Sequence, residues 1–365
     1  MRASEAAVER VTTRAFRIPT DAPESDGTLE WDATILVLAE VSGGGQTGLG
    51  YTYASAAARE VITEALAGAI AGRDAFDVPR LWAEMAGKVR NLGWRGVCAC
   101  AISAVDVALW DLKAKLLELP AVRLLGAQRG EVTIYGSGGF TSYTDKRLKD
   151  QLACWAGRDG CKAVKMKVGR DLARDPERVA VARSAIGGAE LYVDANGALN
   201  RKQALAFAQN CYDLGVTWFE EPVSSDDLDG LRLMRDCAPP GIEIAAGEYG
   251  YEPYYFRRML EARAVDVLQA DATRCGGFTG FLKAAALAEA FAVPFSAHTA
   301  PALHLHAAAA APQLKNLEWF YDHVRIENML FDGAPRPVKG AICPDLSTPG
   351  LGLAFKEKDA EKFAI

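Results

Sequence analysis

From Val132 onward, short apolar runs alternate with longer stretches of helical periodicity, and this unit repeats eight times before Phe331. Each apolar run has the length of a buried strand, and each following stretch has the length of a helix. The predicted strands are 132–137, 163–168, 191–194, 216–220, 242–247, 265–270, 293–297 and 316–320. Parallel strands need such crossover helices, and eight units close into a (β/α)8 barrel of the TIM type. We therefore predict this α/β fold, although an open doubly wound sheet would hold the same alternation.

The first 125 residues follow a different pattern. Three strand-like runs precede three helical segments, which is typical of an α+β domain. The predicted strands are 8–18, 34–41 and 48–53, and the predicted helices are 56–71, 78–89 and 98–119. The segment after Phe331 is rich in Pro and Gly. We predict an α+β capping domain at 1–125, a barrel domain at 126–325 and a C-terminal segment at 326–365 that returns to the capping domain and completes it.

Composition excludes several classes of protein. The chain has 365 residues and a formal net charge of −6, so nucleic acid and membrane surfaces are not expected partners. It has no apolar run of about 18 residues and no signal-peptide core, so a cytoplasmic protein is expected. Its eight cysteines form no CxxC pair and are expected to be reduced, mostly in the core. A barrel of this kind is also expected to form a homo-oligomer.

One glycine motif points to a different fold. Residues 43–48 read GGGQTG and match the GxGxxG pattern of dinucleotide-binding proteins. That pattern requires a helix directly after the glycines, whereas residues 49–53 read as a strand. We therefore expect a hairpin turn at this position.

Polar residues interrupt the apolar pattern where the predicted barrel strands end. Strands of a parallel barrel are buried on both faces and should be apolar. The polar residues recur once in each strand–helix unit from the second to the eighth, and they are Lys167, Asp194, Glu220, Glu248, Asp271, His298 and Glu318. Because the C-terminal ends of the strands meet at one face, these residues are predicted to line the face on which barrel active sites are built.

Three of these residues are carboxylates on adjacent predicted strands, namely Asp194, Glu220 and Glu248. They would repel one another unless a cation lay between them. Oxygen ligands with open positions favour a hard ion, and Mg²⁺ in particular. We therefore predict a Mg²⁺ site, with Asn196 and Glu221 as supporting residues beside the ligands. The alternative is that the acids form salt bridges with the neighbouring lysines.

Acid–base groups accompany the predicted metal site. Lys165 and Lys167 lie two residues apart on one predicted strand, so their side chains share a face. A second ammonium, a nearby dication and burial would lower a lysine pKa, so the pair is a plausible source of a neutral amine and both lysines are catalytic candidates. Asp271 can fix the tautomer of His298 from the adjacent strand. The alternatives are two surface lysines and a structural histidine.

Seven short sequence segments are more specific indicators of the kind of protein than the recurrence of polar residues alone. They are VKMKV (164–168), VDAN (193–196), WFEEP (218–222), AGE (246–248), DATRCGG (271–277), SAH (296–298) and AISAVDVALWD (101–111). These segments resemble the enolase superfamily and are most similar to its mandelate racemase group. The resemblance covers nearly the whole chain and implies a modified TIM barrel with a capping domain built from both ends of the chain.

The resemblance also implies roles for individual residues. In such proteins Mg²⁺ is held by residues that match the three predicted ligands, and the residue that matches Lys167 abstracts a proton. His298 and Asp271 match a dyad that acts from the other face of the substrate. Glu318 matches a residue that hydrogen-bonds the developing enolate.

The reaction implied is removal of a proton α to a carboxylate, which gives an enediolate that a dication stabilises. The preferred outcome is β-elimination of water from a sugar acid, with protonated His298 as the acid. Reprotonation from the opposite face would instead make a racemase or epimerase of a 2-hydroxy or amino acid derivative. Cycloisomerisation is a third outcome, and a barrel that only binds its ligand is the non-enzymatic alternative.

The substrate is expected to be a small carboxylate contacted by capping loops. Segment 20–32 is acidic and contains Trp31, which suits a polyhydroxylated ligand but equally suits a solvated mobile loop. Tyr53 lies in a second candidate segment. Arg274 and Arg17 are candidates for binding a distal carboxylate of the substrate.

Overall fold

The computed structural model describes residues 6–365. It begins with an antiparallel sheet of three strands, β1 (Arg10–Ser25), β2 (Glu30–Gly43) and β3 (Gln46–Tyr53), in that spatial order. Gly44 and Gly45 turn the chain between β2 and β3 with φ of 58° and 75°, a left-handed conformation that glycine adopts readily. The predicted hairpin turn is confirmed, since strand β3 rather than a helix follows the glycines.

Helices pack against this sheet. They are α1 (Ala57–Val61), a π-helical turn (Ile62–Leu66), α2 (Ala67–Ile70), α3 (Val78–Lys88), α4 (Val97–Leu116) and α5 (Ala121–Leu125). The long helix α4 lies directly on β3, because Gly48 and Gly50 leave room for it. A Cβ added to Gly50 would lie 2.1 Å from the carbonyl oxygen of Ala104. The resulting α+β unit has its own apolar core, as expected of a capping domain.

The acidic segment 20–32 is mostly strand, so the expectation of a capping loop was wrong. β1 continues past a bulge between Pro19 and Glu24, and β2 resumes the pairing after a short turn. Asp21 ties this hairpin to the barrel domain by accepting hydrogen bonds from Arg147 at 2.9 Å and Tyr321 at 2.5 Å.

Eight parallel strands then form a closed barrel, as predicted. They are β4 (Val132–Gly138), β5 (Ala163–Lys167), β6 (Glu190–Asp194), β7 (Val216–Glu220), β8 (Glu243–Ala246), β9 (Val267–Ala270), β10 (Phe295–Ala297) and β11 (Leu314–Phe320). Each strand pairs with the next, and β11 pairs with β4, so the open-sheet alternative is wrong. The helices that accompany them are α6 (Asp145–Gly157), α7 (Asp175–Ala185), α8 (Arg201–Asp213), α9 (Leu228–Cys237), α10 (Pro253–Glu261), α11 (Gly277–Ala290), α12 (Pro301–Ala310) and α13 (Tyr321–Leu330).

The barrel interior changes from aromatic to charged along its axis. At the middle of the strands, Tyr135, Tyr192 and Trp218 pack together, and the ring centroids of Tyr192 and Trp218 are 4.9 Å apart. Because side chains alternate along a strand, the next inward residues on β6 and β7 are Asp194 and Glu220. The aromatic layer therefore lies beneath the charged groups, which form the floor of the barrel mouth.

The C-terminal segment returns to the capping sheet. Its elements are β12 (Phe331–Asp332), β13 (Ala341–Ile342), β14 (Ala354–Phe355), α14 (Glu357–Ala360) and a 3-10 turn (Glu361–Phe363). Phe355 packs on Phe16 of β1 with ring centroids 5.3 Å apart, and Glu357 forms an ion pair with Arg14. The division of the chain at residues 125 and 325 stays a prediction.

Two expectations from composition can be compared with the structure. Among residues 6–365, every helix falls short of the length or the apolar character needed to span a bilayer. All eight cysteines are free thiols, and most are buried as expected, but Cys237 and Cys343 are exposed.

Candidate active site

Three carboxylates meet at the C-terminal mouth of the barrel. Asp194 and Glu220 are the last residues of β6 and β7 and lie side by side in the pairing of these strands. Glu248 follows β8 beyond Gly247, where φ is 139° and an added Cβ would lie 2.0 Å from the carbonyl oxygen of Gln269. One oxygen of each carboxylate lies within 4.8 Å of the other two, and all three residues are buried.

Hydrogen bonds orient two of these carboxylates. Asp194 Oδ1 accepts from the backbone N–H of Asn196 at 2.8 Å. Glu220 Oε2 accepts from Trp218 Nε1 at 3.0 Å and from Gln269 Nε2 at 2.9 Å. Converging carboxylate oxygens with such support are the ligands that Mg²⁺ and other hard divalent cations prefer. The donor set therefore fits the metal predicted from the sequence.

Two lysines of β5 contact the same cluster. Lys165 Nζ contacts Glu220 and lies 3.5 Å from Asp194 Oδ2. Lys167 Nζ lies 2.5 Å from the same oxygen of Asp194. The salt bridges of the alternative interpretation are therefore present for two of the three acids, while Glu248 makes its contacts elsewhere.

The pKa of Lys167 differs from the sequence-based expectation. Burial and the neighbouring Lys165 lower it, but the carboxylates of Asp194, Glu248 and Glu220 together outweigh both and raise the pKa above its ordinary value. The expected lowering depended on a dication that shares the oxygens of Asp194. Burial would also lower the pKa of Lys165, but Glu220 and Glu318 raise it.

A histidine–aspartate pair faces the cluster from the ends of β9 and β10. His298 Nδ1 lies 2.8 Å from Asp271 Oδ2, and Asp271 Oδ1 accepts hydrogen bonds from the N–H and hydroxyl of Thr273, both at 2.7 Å. His298 Nε2 lies 3.1 Å from Glu248 Oε2. Burial alone would lower the pKa of His298, but the surrounding carboxylates raise it to about 10. The imidazole is therefore protonated at neutral pH.

Arg274 lies beside Glu248 on the same floor. Its Nη1 is 3.3 Å from Glu248 Oε1, its Nε is 3.6 Å from Asp271 Oδ2, and its guanidinium lies 5.3 Å from the ring centroid of Tyr249. Burial would raise the pKa of Glu248, but His298 and Arg274 hold it well below its ordinary value. Two carboxylates thus share the positive charge of Arg274.

Glu318 closes the ring of charged residues from β11. Its Oε1 accepts from the hydroxyl of Ser137 at 2.5 Å and lies 2.9 Å from Lys165 Nζ. Its Oε2 accepts from the backbone N–H of Thr299 at 3.1 Å and lies 3.5 Å from His298 Nε2. Burial would raise its pKa, but Lys165 and His298 lower it to about 2. Glu318 therefore joins the lysine side of the mouth to the histidine side.

The chain bends sharply just beyond three of these strand ends. Asn196, Glu221 and Thr299 have φ of 46°, 38° and 53°, a left-handed conformation that is unfavourable for residues other than glycine. Asn196 Oδ1 and Glu221 Oε1 are buried without a hydrogen-bond partner. Both residues line a second cavity of about 460 Å³ beside the cluster. The two predicted supporting residues therefore lie next to the carboxylates, and their role stays a prediction.

A cavity of about 390 Å³ lies between the barrel mouth and the capping hairpin. Trp31, Tyr53 and Arg274, the three substrate contacts predicted from the sequence, all line it together with Lys167 and His298. Asp26 and Leu29 of the segment 20–32, which was predicted to contact the substrate, line it as well, and further lining residues that sequence reasoning missed are Thr34, Ile35, Ala54, Tyr249, Phe320 and His323. Tyr249 directly follows a predicted ligand, but the others reach the cavity only through the tertiary packing of the hairpin on the barrel.

Two other histidines and Arg17 have different environments from His298. His323 stacks on Tyr53 with ring centroids 3.5 Å apart, and burial lowers its pKa to about 3, so it is neutral. His304 Nε2 accepts from the backbone N–H of Ala272 at 2.7 Å. Arg17 is half-exposed, pairs with Asp32 at 2.8 Å and lies outside the cavity, so its suggested role in binding a distal carboxylate is not supported.

Comparison with family models covers most of the chain. Residues 11–126 match the N-terminal domain of mandelate racemase and muconate lactonizing enzyme. Residues 147–359 match the model described as enolase C-terminal domain-like.

The relatives of known activity differ from one another in the reaction that they catalyse. The chain is 34% identical to 3,6-anhydro-alpha-L-galactonate cycloisomerase from Streptomyces coelicolor over 85% of this chain and 88% of that protein. It is 32% identical to L-talarate/galactarate dehydratase from Salmonella typhimurium over 81% of this chain and 75% of that protein.

Solved structures show the same architecture. A mandelate racemase/muconate lactonizing enzyme-like protein from Rubrobacter xylanophilus superposes with a TM-score of 0.96 at 50% identity, covering 98% of this chain and all (100%) of that one. A racemase from Streptomyces coelicolor with bound magnesium superposes with a TM-score of 0.92 at 31% identity, over the same shares of 98% and 100%.

Proposed function

This chain belongs to the enolase superfamily, in its mandelate racemase group, and from that membership we propose that it removes the proton α to the carboxylate of a small acid. Its relatives are enzymes that include dehydratases, cycloisomerases and a racemase. The observation that carries the proposal is the approach of Lys167 and His298 to one carboxylate cluster from β5 and β10, which are not neighbours in the barrel.

The carboxylates of Asp194, Glu220 and Glu248 are the residues that would hold Mg²⁺. A bound dication stabilises the negative charge that develops on the carboxylate oxygens of the substrate when the α-proton leaves. Hydrogen bonds from Trp218 and Gln269 hold Glu220 in place for this role.

Lys167 is the proposed base. It lines the cavity, whereas Lys165 is fully buried below it and holds Glu220 and Glu318 in position. Lys167 must lose a proton before it acts, and the ammonium of Lys165 favours that loss. Lys167 Nζ then takes the α-proton from the substrate.

His298 is the proposed acid on the other face. Asp271 holds its Nδ1–H, so Nε2–H is the group directed toward the cavity. In dehydration, His298 donates this proton to the β-hydroxyl as the β C–O bond breaks, and water leaves. The enol product then tautomerises to a 2-keto acid. We propose this loss of water from a sugar acid as the overall reaction.

Cycloisomerisation is the second candidate, because a cycloisomerase is among the relatives matched over most of the chain. In that reaction or in racemisation the same two residues would transfer protons without release of water. Non-catalytic binding is the remaining alternative.

Incubation of sugar acids with the protein and Mg²⁺ in D₂O, followed by NMR, tests the proposal. A 2-keto product supports dehydration. Deuterium at the α-carbon with inverted configuration and no keto product would instead support racemisation. Absence of both exchange and product across a broad panel of acids would support the binding alternative.

A further inference from the structure

We infer that the cavity selects monocarboxylates, that is, acids whose end remote from the reacting carboxylate is uncharged, and disfavours dicarboxylates. This inference deepens the proposed function and rests on it, since it takes the reacting carboxylate to lie at the carboxylate cluster. The observation behind it is the separation of charge across the cavity between the barrel floor and the capping hairpin.

The cations of the cavity all lie on the barrel floor. Lys167, Arg274 and His298 are the basic residues that line the floor side of the cavity within the described chain, 6–365, and each comes from the barrel. Each also contacts a carboxylate of the floor: Asp194 at 2.5 Å, Glu248 at 3.3 Å and Asp271 at 2.8 Å, respectively. These cations are therefore placed for the reacting end of a substrate.

The opposite wall is uncharged or acidic. Its apolar part consists of Leu29, Trp31, Ala33, Ile35, Ala54 and Phe320. Its polar groups include Thr34 and Tyr53, and the Tyr53 hydroxyl is buried without a partner. His323 on this wall is neutral, because burial lowers its pKa to about 3. Such a wall can hydrogen-bond a hydroxyl or contact an apolar group.

Acidic groups surround this wall. Asp26 lines the cavity itself, and its Oδ1 accepts hydrogen bonds from the N–H of Thr28 at 2.6 Å and of Leu29 at 2.7 Å. Behind the wall, Thr34 donates a hydrogen bond to Asp322, which is paired with Arg325 at 2.6 Å. A second substrate carboxylate would therefore lie near the like charge of Asp26, while the nearby Arg325 is already paired with Asp322.

The arginines near the capping hairpin are already paired outside the cavity. Arg17 binds Asp32 at 2.8 Å and Arg147 binds Asp21 at 2.9 Å. Neither lines the cavity. These two arginines are therefore not available to bind a distal carboxylate of the substrate.

Matched acids test the inference. Galactonate and galactarate share one carbon skeleton and differ at the remote end, and 4-carboxymandelate adds a remote carboxylate to mandelate. We expect Mg²⁺-dependent binding, measured by calorimetry, and α-proton exchange in D₂O to favour the monoacid of a pair by about 100-fold. Equal or stronger binding of the diacids, or no binding of any of the four acids, would overturn the inference.

A pair of variants tests whether Asp26 contributes to the preference for monocarboxylates. Asp26→Asn keeps an oxygen for the turn but removes the charge, so the affinity for galactarate should rise about two- to fivefold while that for galactonate stays unchanged. Asp213→Asn makes the same change at an exposed residue of helix α8 outside the cavity and should alter neither. An unchanged ratio in Asp26→Asn would contradict the inference. Preferential binding of monoacids without any exchange of the α-proton would refute the proposed function and leave the selectivity standing.

Discussion

His298 Nδ1 lies 2.8 Å from Oδ2 of Asp271, and this contact joins the ends of two neighbouring barrel strands, β9 and β10. The backbone and hydroxyl of Thr273 hold the other oxygen of Asp271, so the carboxylate cannot rotate freely. The pair therefore fixes which nitrogen of the imidazole faces the cavity.

We predict that Asp271→Asn lowers kcat by about 10²- to 10⁴-fold, because the amide no longer stabilises the Nδ1–H tautomer or the protonated ring. Binding of Mg²⁺, measured by calorimetry, should stay within about twofold of wild type. Asp159→Asn, which changes an aspartate remote from the mouth and paired with Arg158, is the control. Full activity of Asp271→Asn would remove His298 from the proposed mechanism.

Replacement of Lys167 by Met should abolish α-proton exchange, with a loss of about 10³-fold or more, because the candidate base is gone while the side chain keeps a similar length. Exchange is measured by NMR in D₂O. Lys113→Met, which alters a lysine that binds the carbonyl oxygen of Phe76 in the capping domain, should retain wild-type exchange. Exchange at the wild-type rate in Lys167→Met would point to another base.

Much of the site could be predicted from the sequence, because a barrel converts sequence periodicity into position. Asp194 and Glu220 end successive strands, and the pairing of β6 with β7 places them side by side. The second wall of the cavity could not be predicted in this way. Thr34, Phe320 and His323 meet there only because the capping hairpin packs on the barrel, and no periodicity links them.

The capping hairpin itself shows why segment 20–32 was interpreted as a loop. Its acidic residues and Pro23 are unfavourable for an isolated strand. Side-chain contacts stabilise the strand instead: Asp21 binds Arg147 of the barrel, and Glu24 accepts a hydrogen bond from Trp31 Nε1 across the hairpin at 3.0 Å. Similarly, the raised pKa of Lys167 follows from its contact with Asp194, which strand spacing does not reveal.

Because β3 packs closely on helix α4, we expect substitutions at two glycines to have different effects on stability. Gly50→Ala should lower the free energy of unfolding by about 2–3 kcal/mol, because its Cβ would meet the carbonyl oxygen of Ala104 at 2.1 Å. Gly68→Ala lies in helix α2 with open space around it and should be neutral or stabilising by up to about 1 kcal/mol. Urea unfolding of both variants measures the difference, and equal effects would contradict the packing of β3 on α4.

The buried carboxyl of Glu327 lies away from the site, and we expect it to make the stability of the protein depend on pH. Burial raises its pKa to about 8, against hydrogen bonds from Tyr51 and the backbone of Ala302. A carboxyl whose pKa is raised on folding stabilises the protein fully below its unfolded pKa of about 4.5, and this contribution is lost as the pH rises through 8.

The variant Glu327→Gln removes this pH-dependent contribution to the free energy of unfolding, because the amide stays neutral at every pH. Relative to wild type, its free energy of unfolding should rise between pH 5 and pH 9 by on the order of 1–3 kcal/mol. Urea titrations at both pH values measure it. A difference between the two proteins that does not change with pH would show that Glu327 ionises normally in the folded state.

The proposed reaction requires that Asp194, Glu220 and Glu248 together hold a divalent cation. A crystal structure determined in the presence of millimolar Mg²⁺ would show whether they do. We expect an ion bound by one oxygen of each carboxylate at about 2.0–2.1 Å, with Lys167 Nζ moved from its present contact with Asp194. Density that shows the lysines still paired with Asp194 and Glu220, with no ion among the three acids, would contradict it.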